Sequence, residues 1–368
     1  MFFLAWRNLS QSRTQFFLGV GGVALALVLM LALDALLAGS EEDLVAYIEQ
    51  SGADIFVAQE GVKNMHMAAS AITLRDMRLA EHNPDVISAS PILYTTSVIN
   101  TDSGDVLSYI IGFDPDESLG GPQLVIDGTV EVGREEVLID EAIARSQDVT
   151  LGDEIEIMGE PFTVVGLTRG LTNIVNSVAF IHLRDFQELR PGEAISYALL
   201  ETAPDANVTQ VASAINARND NVLALPVPEF SREERQIIKD MSVEILNIMN
   251  LSGFLIGLAV TGLTLYTSTL RKRQEYGVLK AIGAKNRHLY QVVAVQASLS
   301  LVLGIVAAIG LVFLLGLVVP QIVPGMGMTL TQTGVTRVVI ASLIIGVLAA
   351  LMPAWQLARL DPARVFRG

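Results

Sequence analysis

The chain contains no cysteine, which excludes disulfide bridges, thiolate metal sites and the processing that follows a lipoprotein signal. Its four histidines, His66, His82, His182 and His288, show neither His-x-x-x-His nor His-Glu-x-x-His spacing, so no zinc site can be read from them. A phosphate-cradling loop ending in Gly-Lys-Ser/Thr is also missing. The nearest match, Gly277-Val-Leu-Lys-Ala-Ile-Gly283, is followed by Ala284, Lys285 and Asn286, so any nucleotide hydrolysis must come from another chain. The acidic stretches Asp114-Pro-Asp-Glu117 and Asp153-Glu-Ile-Glu156 lack the spaced ligands of a calcium loop and read as solvated faces. No Ser/His/Asp or Cys/His nucleophile set can be assembled, and no catalytic, metal or cofactor-binding residue is expected.

What is present is hydrocarbon. Hydrophobic residues make up 51% of the 368, concentrated in four runs long enough to cross a ~30 Å apolar layer. The first run, 16–38, exceeds the ~7–15 residues of a signal-peptide core, so it reads as an uncleaved span. Charge separates around these runs. Residues 40–240 hold 12 Lys/Arg against 35 Asp/Glu, whereas 1–15, 271–288 and 359–368 together hold 11 Lys/Arg against two acids. By the positive-inside tendency the acidic stretch lies outside the cell membrane and the basic pieces lie inside. An acidic external domain also speaks against nucleic acid as a partner.

The reading in order is an interfacial helix over 1–15, a first span over 16–40, a stalk over 41–51 and an external domain over 52–228. A second stalk follows over 229–244, then a span over 245–270, a cytoplasmic segment over 271–289, a span over 290–319, an external loop over 320–336, a last span over 337–357 and a tail over 358–368. Ser231 followed by Glu234 has the form of a capping box opening the second stalk. Within the external domain, β-branched and aromatic runs predict strands at 54–58, 106–113, 154–157, 162–167 and 177–181, and helical patterns fall at 72–81, 141–147 and 208–218. Gly253 and Gly257 form a small-xxx-small face suited to close helix contact in lipid. Asp34, near the outer end of the first span, is expected to reach water, and the methionine-bearing stretch around Met65 and Met67 reads as a surface loop.

The basic segment carries the most specific wording. Glu275-Tyr-Gly-Val-Leu-Lys-Ala-Ile-Gly-Ala284 resembles the cytoplasmic loop of FtsX-like permeases, the membrane subunits of MacB-, LolCDE- and DevC-type ABC transporters, with Tyr276 where that family has Ile. The succession of strand, helix, turn and hairpin over 136–166 resembles the MacB-like periplasmic core. Pro353 in the last span and Asp361-Pro362 before a basic end are similar to the family's ending.

The resemblance implies a membrane protein of the type VII ABC superfamily, with four transmembrane helices and a large extracytoplasmic α/β domain between helices 1 and 2. It implies a non-catalytic permease subunit of the bacterial cytoplasmic membrane with both termini inside. ATP and magnesium would be bound only by a partner, a cytoplasmic ABC ATPase subunit. A permease homodimer or heterodimer, contact with membrane lipid, and a periplasmic adaptor or outer-membrane channel are further implied partners. Coupling to the ATPase falls on Glu275, Gly277, Leu279, Lys280, Ala281, Gly283 and Ala284. Glu275 and Lys280 are expected on the exposed surface, with Gly283 and Ala284 leaving room for close backbone approach. Motion would pass through the stalks to export or extract a hydrophobic, lipid-linked or peptide substrate. An FtsX-type regulator of an extracytoplasmic cell-wall hydrolase and a ligand sensor are the alternatives.

The topology is testable in this naturally cysteine-free background. Single cysteines at Ser103 and Asn286 should differ in intact cells, with only position 103 labelled by an impermeant thiol reagent, and equal labelling would overturn the assignment.

Overall fold

The computed structural model describes residues 13–173, 177–192, 194–323 and 325–359. The interfacial helix expected over 1–15 falls almost wholly outside them, as does the tail from 360. In chain order the described elements are α1 (Arg13–Gln50), β1 (Ile55–Gln59), β2 (Ile72–Thr73), α2 (Leu74–Glu81), β3 (Val86–Thr101), β4 (Gly104–Phe113), β5 (Val125–Gly128), β6 (Glu136–Asp140) and α3 (Glu141–Gln147). There follow β7 (Glu154–Ile157), β8 (Glu160–Thr168), β9 (Ser177–His182), α4 (Leu183–Leu189), β10 (Ala194–Ile195), β11 (Tyr197–Thr202), α5 (Val208–Arg218) and β12 (Val222–Pro226). The chain continues through α6 (Val227–Arg271), α7 (Arg273–Ala281), α8 (Asn286–Ile322) and α9 (Gln332–Ala358).

Four of these helices, α1, α6, α8 and α9, are long and apolar enough to cross a membrane. Contacts divide the chain into two units, one built from the residues up to Ala38, Ser242–Gln321 and those from Met328 on, the other from Gly39–Met241 and Ile322–Gly327.

In the helical unit, small residues let backbones approach, which is the main source of helix affinity where lipid is as apolar as leucine. A methyl group at Gly253 of α6 would lie 2.7 Å from Met30 Cγ on α1, and one at Gly257 would lie 3.0 Å from Ile345 Cδ1 on α9. The small-xxx-small face is therefore spent within the chain. Val23, Leu27, Met30 and Leu31 of α1 bury against Leu301, Ala308 and Val312 of α8 and Val338 of α9.

In the other unit, nine of the ten strands of the larger sheet run in the order β12-β1-β11-β3-β4-β9-β6-β8-β5, with β7 pairing both β3 and β8, and β2 pairs β10 in a separate two-stranded sheet. The β4/β9 and β6/β8 pairs are parallel and the remaining neighbours antiparallel. The 16-residue β3 is the spine, joining β11 on one side to β4 on the other. Sequence patterning misses it because Pro91 and the Ser/Ala residues around it interrupt the β-branched run. A helix expected over 72–81 instead begins at Leu74, because Thr73 and Asp76 close a reciprocal capping box. The core is aromatic where helix meets sheet. Phe230 of α6 stacks on Phe56 of β1 at 5.0 Å between ring centroids, and Tyr197 of β11 meets both edge-on.

Asp140 ends β6 and caps α3, accepting hydrogen bonds from the Ala142 amide at 3.0 Å, the Leu171 amide at 3.1 Å and the Thr172 hydroxyl at 2.8 Å. Burial pushes its carboxyl above the usual carboxylate range, although these three donors favour the ionised form. Asp140→Ala leaves two buried amides without their acceptor, which should cost about 2–4 kcal/mol. The calorimetric unfolding transition of the purified full-length protein should fall accordingly, and an unchanged midpoint would refute the role given to Asp140.

Candidate functional site

The sequence-predicted coupling residues lie where α6 stops. Lys272 breaks the helix and serves as the N-cap of α7 without a side-chain capping bond. α7 is amphipathic in a sense the wording alone does not reveal. Its inner face carries Tyr276, which is 3% exposed, and Gly277, also buried. Tyr276 packs with Leu289, Val292 and Val293 of α8 and Leu357 of α9, with Leu279 against the same cluster. Burial, and secondarily the charge of Glu275, pushes the Tyr276 hydroxyl up to about 12, so the ring stays a neutral wedge at any physiological pH. An aromatic residue thus fills the inward position at which the resemblance has Ile.

Lys280 departs from expectation. It turns inward, and its Nζ donates to the carbonyls of Leu357 at 2.9 Å and Ala358 at 3.2 Å. The cause is the negative end of α9: the last turn of a helix leaves carbonyls without intrahelical partners, and a cation is favoured there. Of the remaining predicted residues, Glu275, Ala281 and Gly283 are exposed and Ala284 is half-buried. Sequence reasoning passed over the most outward apolar side chains, Val278 at 45% and Ile282 at 76% exposure. At steps of three and four they share one stripe with Glu275 and Ala281. The spacing was available in the sequence as an apolar pair opposite Tyr276.

Gly283 terminates α7. Its φ is +99°, its amide donates to the Lys280 carbonyl at 3.1 Å, and the Ala284 amide donates to the Leu279 carbonyl at 2.9 Å. These two bonds are the Schellman arrangement, which only glycine enters without strain. A Cβ at Gly283 would meet nothing within 4 Å, so the constraint on this residue is conformational.

The second region singled out from sequence, around Met65, is a loop as expected, but Met65 itself is anchored beneath the surface. Met65 is 2% exposed, and its amide donates to Glu234 Oε2 on α6, while His66 Nδ1 lies 2.8 Å from Glu234 Oε1. The His66 ring sits edge-on to Tyr109 at 4.6 Å between centroids, while Lys63, Met67 and Ala69 are exposed. Glu234 is therefore not the second half of a capping box. The helix starts a turn earlier, at Val227, so Ser231 lies inside it with its hydroxyl unpartnered and Glu234 is free to reach the 65–66 backbone and ring. Two ion pairs, Arg235 with Glu49 and Lys239 with Glu41, join α6 to α1 in this unit.

Asp34 is likewise buried instead of reaching water. It is 8% exposed, with Oδ1 2.6 Å from an Arg337 guanidinium nitrogen on α9. An acid in an apolar helix needs a partner, and the fourth span supplies it.

Among described residues, no group of three His, Asp or Glu side chains could hold a metal ion. If Lys280 clamps α9 as its geometry indicates, Lys280→Ala should lower the thermal midpoint of the purified protein by an amount corresponding to about 1–2 kcal/mol. Lys285→Ala, at an exposed position one turn on, should leave the midpoint unchanged. Equal midpoints for the two variants would remove the clamp.

Comparison with known proteins is consistent across the chain. Residues 16–218 match the model of the MacB-like periplasmic core domain, and 247–362 match that of the FtsX-like permease C-terminal region. The chain is 22% identical over 372 residues to a putative hemin transport system permease protein of Staphylococcus haemolyticus, covering 99% of both chains. It is 21% identical over 375 residues, end to end, to an ABC transporter permease of Mycobacterium bovis. It is 24% identical to a pyoverdine export ATP-binding/permease protein of Pseudomonas syringae, over 97% of this chain and 58% of that one. The crystal structure of the periplasmic region of MacB from Actinobacillus actinomycetemcomitans aligns with a TM-score of 0.39 at 11% identity, covering 50% of this chain and 94% of that one.

Proposed function

The chain belongs to the family of the MacB-like periplasmic core domain joined to an FtsX-like permease region, and from that membership we propose that it passes the work of a separate ATPase across the membrane to its extracytoplasmic domain. It is an ABC transporter permease subunit with four spans and an external α/β domain, and such a subunit implies an ATPase partner. The finer reading concerns how force enters. The observation that carries it is the two-sided character of α7. One side is fixed by Tyr276 and Lys280 to α8 and α9, and the other presents Glu275, Val278, Ala281 and Ile282 to whatever lies beyond.

An exposed apolar pair on a helix held from behind is a contact surface that does not yield when pushed. Closure of an ATP-bound ATPase dimer against this stripe would displace α7 together with the ends of α8 and α9. In this reading the glycines act indirectly: Gly277 lets α7 lie close to its support, and Gly283 ends the helix. ATP and magnesium stay with the ATPase, and this chain holds no cofactor.

The cargo in this proposal is a hydrophobic or amphipathic compound, lipid-linked or peptide-like, moved outward by a pair of permease chains, alike or different. Relatives named for hemin transport and for pyoverdine export support export over a purely regulatory role. A periplasmic adaptor or outer-membrane channel would receive the cargo in a cell that has an outer membrane.

Val278→Asp combined with Ile282→Asp should abolish copurification of the ATPase and its permease-stimulated hydrolysis while membrane abundance stays at the wild-type level, because both side chains are outside the packed core. Full retention of the complex would overturn the docking assignment. Gly283→Trp is a weaker test, since φ +99° strains any side chain there and would lower abundance by itself.

A further inference from the structure

We propose that the helix ends beside α7 form a binding site for the headgroup of an anionic phospholipid. A cavity of about 220 Å³ opens between the end of α6, the start of α7 and the end of α9, lined by Thr269, Arg273, Trp355, Gln356 and Arg359 together with two leucines. It lies where the apolar lengths of α6 and α9 finish, at Arg271 and Ala358, and so at the boundary between hydrocarbon and water. No acid lines it.

Each component suits a phosphodiester with a glycerol tail. Arg273 and Arg359 are both exposed, and guanidinium groups take phosphate oxygens in bidentate fashion. Arg359 is already oriented, its guanidinium carbon 3.8 Å from the centroid of the Trp355 ring. That tryptophan is 57% exposed, an interfacial aromatic with one side on apolar surface and one towards headgroups. Gln356 offers an amide for glycerol oxygens, and Leu270, 47% exposed, supplies an apolar edge. The volume is below the ~300–1,000 Å³ of pockets for drug-sized ligands and suits a single headgroup. A choline or ethanolamine headgroup would bring its own cation towards two arginines, so the preference is for net negative lipid such as phosphatidylglycerol.

The site is built on the joint that Lys280 clamps, since its bonds go to Leu357 and Ala358, at the same end of α9. Lipid bound there would brace the support behind α7. This goes beyond the ATPase-docking proposal and does not require it.

The test uses the full-length protein in nanodiscs of phosphatidylcholine with and without phosphatidylglycerol. Retained lipid is read by native mass spectrometry and stability by the thermal midpoint. Wild type should retain phosphatidylglycerol preferentially and be stabilised by it. Arg273→Gln with Arg359→Gln should weaken that retention by about tenfold or more. Lys285→Gln with Arg287→Gln, which removes the same charge outside the cavity, should leave it intact. Equal loss in both pairs, or no preference in wild type, overturns the site. Inorganic phosphate that stabilises wild type as much as the lipid does assigns the cavity to a free anion and also overturns it. Should the double variant not yield a monodisperse protein, Arg359→Gln alone carries the comparison with the same outcomes. Nanodiscs expose both faces, so the result does not depend on orientation in the cell.

Discussion

Backbone amides and carbonyls in hydrocarbon have no water to bond, and that single requirement organises the molecule. It confines the lipid-embedded chain to helices. It also concentrates the difficulty at helix ends, where up to four carbonyls lack intrahelical partners. At the end of α9 two of those carbonyls are met by Lys280, and the residue that meets them belongs to the short helix α7. Satisfying one helix thereby fixes the position of another. The inner face of α7 is committed to this task and to burying Tyr276, which leaves its outer face available for contact.

The same economy appears in the external domain. Both oxygens of the buried Glu234 are engaged, one by the Met65 amide and the other by the His66 ring, so a carboxyl on α6 ties down the 65–66 loop. Asp140 serves three donors from two segments in a comparable way. In each case one carboxyl engages two or three groups at once, which is how a buried acid contributes to stability when a lone one would detract from it.

Much of this was legible in the sequence, and the rest was not for identifiable reasons. The four apolar helices, the external α/β domain and the family wording were visible because length, charge sign and local motif act over short stretches. Strand β7 and helices α3 and α5 fall where their patterns indicate, since each has a local start signal. β3 was hidden by Pro91, and the short helix α4 has no strong periodicity. Lys280 could not be placed, because a lysine in a basic segment has no sequence mark distinguishing a solvated cation from one that caps a helix 77 residues away. Ser231 and Glu234 carried a local signature that tertiary contact overrode. Asp34 needed knowledge of Arg337, which no local pattern supplies.

The pairing of Asp34 with Arg337 has a consequence in time. The two residues are separated by 303 positions, and the chain lengthens at ≈ 5–20 residues per second. The first span is therefore made roughly 15–60 s before its counter-charge exists. Through that interval the acid lacks its partner, and the first span can close on the fourth only after Arg337 has been made. A nascent chain stopped before α9 would carry Asp34 in its first membrane helix without the Arg337 guanidinium that partners it in the folded protein.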